Sequence, residues 1–347
     1  MAKEKNLAVW EPVDYFRVAG RVRVFLGRRR LTSTILTNMA LTLEEWNVGP
    51  ASDLSGFCSP LNLGLGETRS REDSKMAALS RDELAFWEEN GYVVLKGAVP
   101  AEYARAAEDA VWAFVDMDRD DPETWYPDPP RPGIMVEMYQ HQALWDNRQA
   151  PRVHEAFSQI WGTEKLWVSF DRASLNPPER PGFEFKGPYL HWDMSLENPT
   201  GLKVQGVLYL ADTAANQGAF TCIPRFHKKL ESWLAGLPEE VNPRERVKEE
   251  FSDEATPIPA KVGDLVIWHS ALPHGSSSNS ASYPRVVQYI TMTPSPKDNE
   301  AARESRIEGW RERLTGLGKN EKEKEHAEGE TAKLTELGKK LLGLERW

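Results

Sequence analysis

Cysteine is almost absent from this chain: Cys58 and Cys222 are the only two among 347 residues. A disulfide framework or a cysteine-rich zinc cluster needs more sulfur at closer spacing, so a reducing cytoplasm is the default compartment. The sequence also lacks any continuous apolar run of the roughly 18 residues that a membrane span requires. Its opening has no apolar core of the secretory kind. Excess positive charge is missing as well. Lys and Arg number 43 against 53 Asp and Glu, giving a formal net charge of -10. A broad nucleic-acid-binding face would need clustered basic residues, so the charge balance argues against that class.

What is present is ordinary globular usage, with 40% hydrophobic and 28% charged residues. The length suggests one sizeable domain with appendages, or at most two domains. Tryptophan is plentiful, at 13 residues, and reads as large packing side chains in a β-rich core.

Residues 1–75 differ from the rest. Arg17, Arg21, Arg23, Arg28, Arg29 and Arg30 make an early basic stretch, and a Gly/Ser/Pro-containing segment follows. An organellar leader fits poorly with Glu4, Glu11 and Asp14. The segment reads as a weakly structured extension, with Met76 as an alternative start. Organised sequence begins at Ser80, which with Glu83 makes a capping box for a helix ending at Gly91. A strand over Tyr92–Leu95 and a second helix from Pro100 to Phe114 come next. Beyond Gly133, short β-type runs dominate: 135–139, 166–170, 189–193, 202–210, 219–223, 264–268 and 286–292. Helical segments are expected at 153–161, 228–234 and 334–347, the last after a charged stretch over 319–333. Turn formers such as Asn176-Pro177-Pro178 and Asn216-Gln217-Gly218 separate the strands, which points to a β-barrel or sandwich over 76–347 rather than βαβ units.

His191-Trp192-Asp193 is the first arrangement with chemical content. On a strand, residues two apart share a face, so the imidazole and carboxylate can reach one point while Trp192 turns away. Two histidines and one carboxylate on one side of a metal form the open triad of iron(II) oxygenases. His-x-Asp alone is common. The second arrangement adds to it: Gly263-Asp264 leads into an apolar strand ending at His269, then His274-Gly275-Ser276, Asn279 and Pro284-Arg285. The residues alone leave His269 and His274 open as the third ligand. His227 reads as a loop histidine. His141, His154 and His326 have no evident partners.

Taken together, His191-x-Asp193, Asn216-Gln217-Gly218, Ile223-Pro224 with His227-Lys228, His274-Gly275-Ser276 and Pro284-Arg285 resemble the phytanoyl-CoA dioxygenase-like branch of the iron(II)/2-oxoglutarate oxygenases, over residues 76 to 347. The resemblance implies a mainly β fold with flanking helices, a double-stranded β-helix or jelly-roll barrel. It implies His191, Asp193 and His274 as iron(II) ligands, with His269 behind them. Arg285 matches the residue that binds the distal carboxylate of 2-oxoglutarate, and a planar guanidinium suits that task. Some relatives carry a hydroxyl two residues after this arginine, where this chain has Val287. Thr221 is therefore a candidate helper, and Gln205 another co-substrate-binding candidate. Asp171 and Arg172 are candidates for the substrate pocket. The expected reaction consumes dioxygen and 2-oxoglutarate and oxidises a small-molecule substrate. Related halogenases lack the carboxylate, so Asp193 favours hydroxylation. The loops at 118–132, 177–187 and 239–259 are expected to shape the pocket. A zinc hydrolase using the same three ligands, and a metal-binding jelly roll without oxygenase activity, are the competing expectations.

Overall fold

Alternation along the central strands gives this protein two cores, one on each face of its main sheet. In a computed structural model of the chain, residues 77–126, 128, 134–184, 190–197, 199, 201–314 and 329–347 are described. They all fall in the second of two units, Met1–Ser70 and Arg71–Trp347. The expected 1–75 extension, His326 and most of the charged stretch over 319–333 lie outside the described residues.

The capping box forms. Ser80 Oγ accepts from the Glu83 backbone N–H at 3.2 Å, and the Glu83 carboxylate accepts from the Ser80 N–H at 2.8 Å. Helix α1 (Arg81–Asn90) ends at Gly91, whose φ of 76° is the left-handed conformation a stop of this kind needs. Strand β1 (Tyr92–Leu95) follows, and Pro100 then acts as the N-cap of α2 (Ala101–Val115) rather than sitting in its first turn. Next come β2 (Met135–Val136), α3 (Gln142–Arg148), α4 (Pro151–Trp161), β3 (Leu166–Val168) and β4 (Ala173–Asn176). The remainder holds β5 (Val204–Tyr209), β6 (Phe220–Cys222), α5 (Leu230–Ala235), α6 (Pro243–Phe251) and β7 (Thr256–Ile258). After these lie β8 (Leu265–His269), β9 (His274–Ser276), β10 (Arg285–Tyr289), β11 (Met292–Pro294), α7 (Glu300–Arg311) and a last helix α8 (Glu336–Leu342).

The main sheet has the order β1-β8-β5-β10-β4-β2, and a smaller one has the order β7-β6-β9. Every pairing is antiparallel. Val286, Leu208, Leu265 and Ile267 point to the helical side, where they pack with residues of α2, α3 and α4. Their strand neighbours Val287, Val207, Tyr209, Val266 and Trp268 point the other way and pack against Phe220 and Cys222 of the small sheet. This two-residue period sorts the side chains between the layers. The result is the predicted jelly roll with flanking helices. Its described strands form facing open sheets rather than a closed barrel.

The structure corrects several expectations: the strand expected over 135–139 is only Met135–Val136, and helix α3 and strands β7 and β9 were not foreseen. No strand spans 189–193: His191 makes only an isolated bridge to His274, and 185–189 lie outside the described residues. Strand β4 was missed because Ala-Ser-Leu-Asn has little β-branched or aromatic content. Helices α6 and α7 were missed because their many charges mask the apolar stripe, which in α6 leaves Val247 as the buried residue.

Candidate metal centre

Two short segments deliver the cluster. His191 and His274 exchange backbone hydrogen bonds of 2.9 and 3.0 Å, which brings the two stretches into register. One ligand atom each from His191, Asp193 and His274 then lies within 4.8 Å of the others. Asp193 Oδ1 is 3.6 Å from His191 Nε2, and Asp193 Oδ2 is 3.3 Å from His274 Nε2. Nitrogen and oxygen ligands about 2.1 Å from one ion sit about 3 Å apart when adjacent, so small rotations would suffice. The cluster is open on one side. The side chains of His191 and Asp193 are 47% and 40% exposed, whereas that of His274 is 5% exposed.

The surroundings favour this donor set. His274 Nδ1 lies 3.0 Å from the Leu272 carbonyl, so a proton there leaves Nε2 free to bind an ion. Burial works against ionisation of Asp193. With no ion bound and a proton on His274 Nε2, the hydrogen bond from His274, the two imidazoles and Gln205 outweigh it and hold the carboxyl well below its ordinary range. Gln205 Nε2 donates to Asp193 Oδ2 at 2.8 Å. Gln205, a co-substrate-binding candidate, thus holds the Asp193 carboxylate through its amide nitrogen, while its Oε1 is buried without a partner.

Arg285 starts β10 on the interior face and is 2% exposed. Its Nη2 donates to Ser174 Oγ at 2.9 Å, its Nε has no partner, and no acidic side chain pairs with it among the described residues. A buried cation of this kind fits an incoming carboxylate. Ser174 stands directly across from Val287 in the β10–β4 register. A hydroxyl therefore meets the Arg285 guanidinium from the neighbouring strand, although position 287 has none. Sequence reasoning missed Ser174; with β4 recognised as a strand, antiparallel pairing would have pointed to it. Asn176, opposite Arg285, also has a buried amide nitrogen without a partner.

Thr221 does not reach the cluster. It pairs with Gly275, one step out of phase with the Cys222–His274 pair, and its hydroxyl donates to the Ala219 carbonyl at 3.0 Å. Asp171 accepts from the Arg172 backbone N–H at 2.8 Å, and the Arg172 guanidinium lies 4.0 Å from Glu137. Burial raises the Asp171 pKa against the pull of that N–H, Arg172 and Arg148, and the Asp193 charge adds to the rise.

The remaining histidines lie elsewhere. His269 accepts from Ala271 N and its ring lies 5.4 Å from that of His227, outside the cluster. Burial lowers the pKa of both, that of His269 to about 4. His141 caps α3, and His154 stacks on Trp347.

Comparison with known proteins follows this geometry. A putative phytanoyl-CoA dioxygenase of Dictyostelium discoideum is 24% identical over 62% of this chain and 75% of its own length. Ava biosynthesis cluster protein O of Aspergillus versicolor is 28% identical over 65% of this chain and 80% of its own. A solved structure, hypothetical protein JW0805 of Escherichia coli, shares the fold with a TM-score of 0.59 at 18% identity, over 78% of this chain and 84% of that one. The family model for phytanoyl-CoA dioxygenase (PhyH) matches residues 87–287, more than half of the sequence and a span containing His191, Asp193, His274 and Arg285. The chain therefore belongs to the phytanoyl-CoA dioxygenase family, oxidoreductases that use iron(II) and 2-oxoglutarate.

Proposed function

We propose that this protein hydroxylates, or otherwise oxidises, a C–H bond of a small organic substrate while 2-oxoglutarate is converted to succinate and carbon dioxide. His191, Asp193 and His274 hold the iron, and Gln205 keeps the Asp193 carboxylate in place. Arg285, steadied by Ser174, receives the distal carboxylate of 2-oxoglutarate. When bound, iron(II) supplies the activation of dioxygen; the protein supplies geometry and a shielded pocket. The observation that carries this reading is the coexistence of a two-histidine, one-carboxylate cluster with a buried arginine lacking any acidic partner among the described residues. A zinc hydrolase could use the three ligands but would leave that arginine without a task.

The loops flagged as pocket walls support a shaped substrate site. Tyr126 donates to the Pro178 carbonyl at 2.7 Å, the Arg180 guanidinium sits 3.5 Å from its ring centre, and Phe183 meets its edge at 5.4 Å. The segments around 126 and 180 therefore brace each other. A relative named for a biosynthesis cluster supports a small-molecule substrate. The test is an anaerobic titration with iron(II) and then 2-oxoglutarate, monitored for a weak visible charge-transfer band, followed by a substrate screen scored by succinate. Failure to develop the band in the wild-type protein would remove the oxygenase reading.

A further inference from the structure

Asp193 is a metal-ligand candidate in a segment with little regular structure. After the bridge at His191, residues Trp192 to Glu197 belong to no strand. Chain of this kind ordinarily leaves its carbonyls to water, and its side chains wander. Here the carbonyls on either side of Asp193 are both taken by one side chain. Arg244 Nη1 donates to the Trp192 carbonyl at 2.7 Å, and Arg244 Nη2 donates to the Met194 carbonyl at 2.9 Å.

We propose that Arg244 is a positioning residue for Asp193, fixing the peptide groups that bracket the carboxylate and so setting how tightly and how long the metal ion is held. This inference rests on the reading that His191, Asp193 and His274 bind the ion. A planar guanidinium suits the task because two of its nitrogens point in fixed, nearly parallel directions. Lysine offers one nitrogen on a flexible stem. Arg244 is itself well placed: Asn242 caps the start of α6 through the Arg244 backbone N–H at 3.0 Å, and Val247, one turn on, is fully buried. No acidic side chain competes for its guanidinium among the described residues. The other side of the ligand segment is pinned by Trp192, whose Nε1 donates to the Ala271 carbonyl at 2.9 Å and whose ring packs on Phe226 and Trp233. Asp193 is thus gripped through its backbone by α6 and through its neighbour's indole by the turn before His274. The insertion over 239–259, expected to line the substrate pocket, acts in this respect on the metal.

Removing a partner that orients a metal ligand typically weakens metal affinity about 10- to 100-fold. The experiment titrates the full-length protein with cobalt(II) as the probe, reading the dissociation constant by calorimetry, the visible spectrum of the bound ion, and its release rate into a chelator. Arg244→Met and Arg244→Lys are compared with Arg246→Met, a neighbour on the same helix whose exposed ion pairs among the described residues go to Glu249 and Glu250. Both Arg244 variants should bind cobalt(II) at least ~10-fold more weakly and release it faster, with the metal-free melting temperature close to wild type. Arg246→Met should behave as wild type. A change confined to stability would leave the metal constants unmoved, and cobalt(II) affinity within threefold of wild type in Arg244→Met and Arg244→Lys overturns the proposal. Should Arg244→Met fail to fold, Arg244→Lys decides the matter alone. His274→Ala separates the two readings. If wild type binds cobalt(II) and His274→Ala does not, an unaffected Arg244 variant refutes only the role of Arg244. If wild type and His274→Ala bind alike, the metal site and this inference fall together.

Discussion

Replacing Arg285 with Leu should abolish tight binding of 2-oxoglutarate without weakening the metal-free protein. The reasoning starts from what Arg285 lacks. It is buried at 2% exposure, gives one hydrogen bond to the Ser174 hydroxyl, and meets no carboxylate among the described residues. Exchanging a buried charge for a well-packed apolar group is often neutral or stabilising. The metal-free melting temperature should therefore stay level or rise. With co-substrate the balance reverses. Two charge-assisted hydrogen bonds from a guanidinium to a carboxylate contribute about 1.5–3 kcal/mol each, so the variant should bind about 100- to 10,000-fold more weakly. Wild type at a 2-oxoglutarate concentration 100 times its dissociation constant gains about 2.7 kcal/mol of stability. The variant at the same concentration should gain almost nothing. The assay is thermal unfolding with manganese(II) in place of iron, with and without 2-oxoglutarate, beside a calorimetric titration. A variant that binds within threefold of wild type would refute the assignment. One that loses several kcal/mol of metal-free stability would refute the view of Arg285 as an unpaired cation awaiting an anion.

Three further outcomes are expected. Ser174→Ala should raise the 2-oxoglutarate KM several-fold, as loss of one hydrogen bond worth about 1 kcal/mol implies, and leave kcat at saturation close to wild type; an unchanged KM would remove Ser174 from the cradle. Gln205→Leu should weaken metal binding about tenfold, because Asp193 loses the donor at 2.8 Å, which a cobalt(II) titration would measure. Stability should also fall in mild acid. Burial lowers the pKa of His269 to about 4 and lowers that of its neighbour His227, so the unfolded chain, with histidine near 6.5, takes up protons first as pH drops. The contribution is fully present above pH ~6.5, declines through pH ~5 and is lost below pH ~4, to an extent on the order of 3 kcal/mol for His269. A His269→Asn variant should show a shallower decline of melting temperature over that window, and an identical slope would refute the argument.

The parts of this protein legible in its sequence are those whose chemistry demands particular residues at fixed local spacing. The capping box at Ser80, the left-handed stop at Gly91 and the strand over Val204–Tyr209 are of that kind, because a few neighbouring residues determine each. His191 and Asp193 were legible for the same reason, although the expected strand is only a bridge at His191. Their two-residue spacing still leaves Trp192 buried at 2% while both candidate ligands stay open, although the chain bends at Asp193 and Met194 instead of continuing a ladder. The choice between His269 and His274 rested on resemblance and needed the bridge between His191 and His274 to become a statement about space. Contacts made across the fold were not legible at all. Ser174 reaches Arg285 over a separation of 111 residues and Arg244 reaches Trp192 over 52, and nothing local marks serine or arginine for such a task. Thr221 shows the converse error. Its hydroxyl was plausible by type, but strand phase turns it to the face opposite His274, and a one-residue change of phase decides which side of a sheet a side chain serves. Residue type proposes the chemistry of such a site, while strand register selects which of the eligible residues can take part.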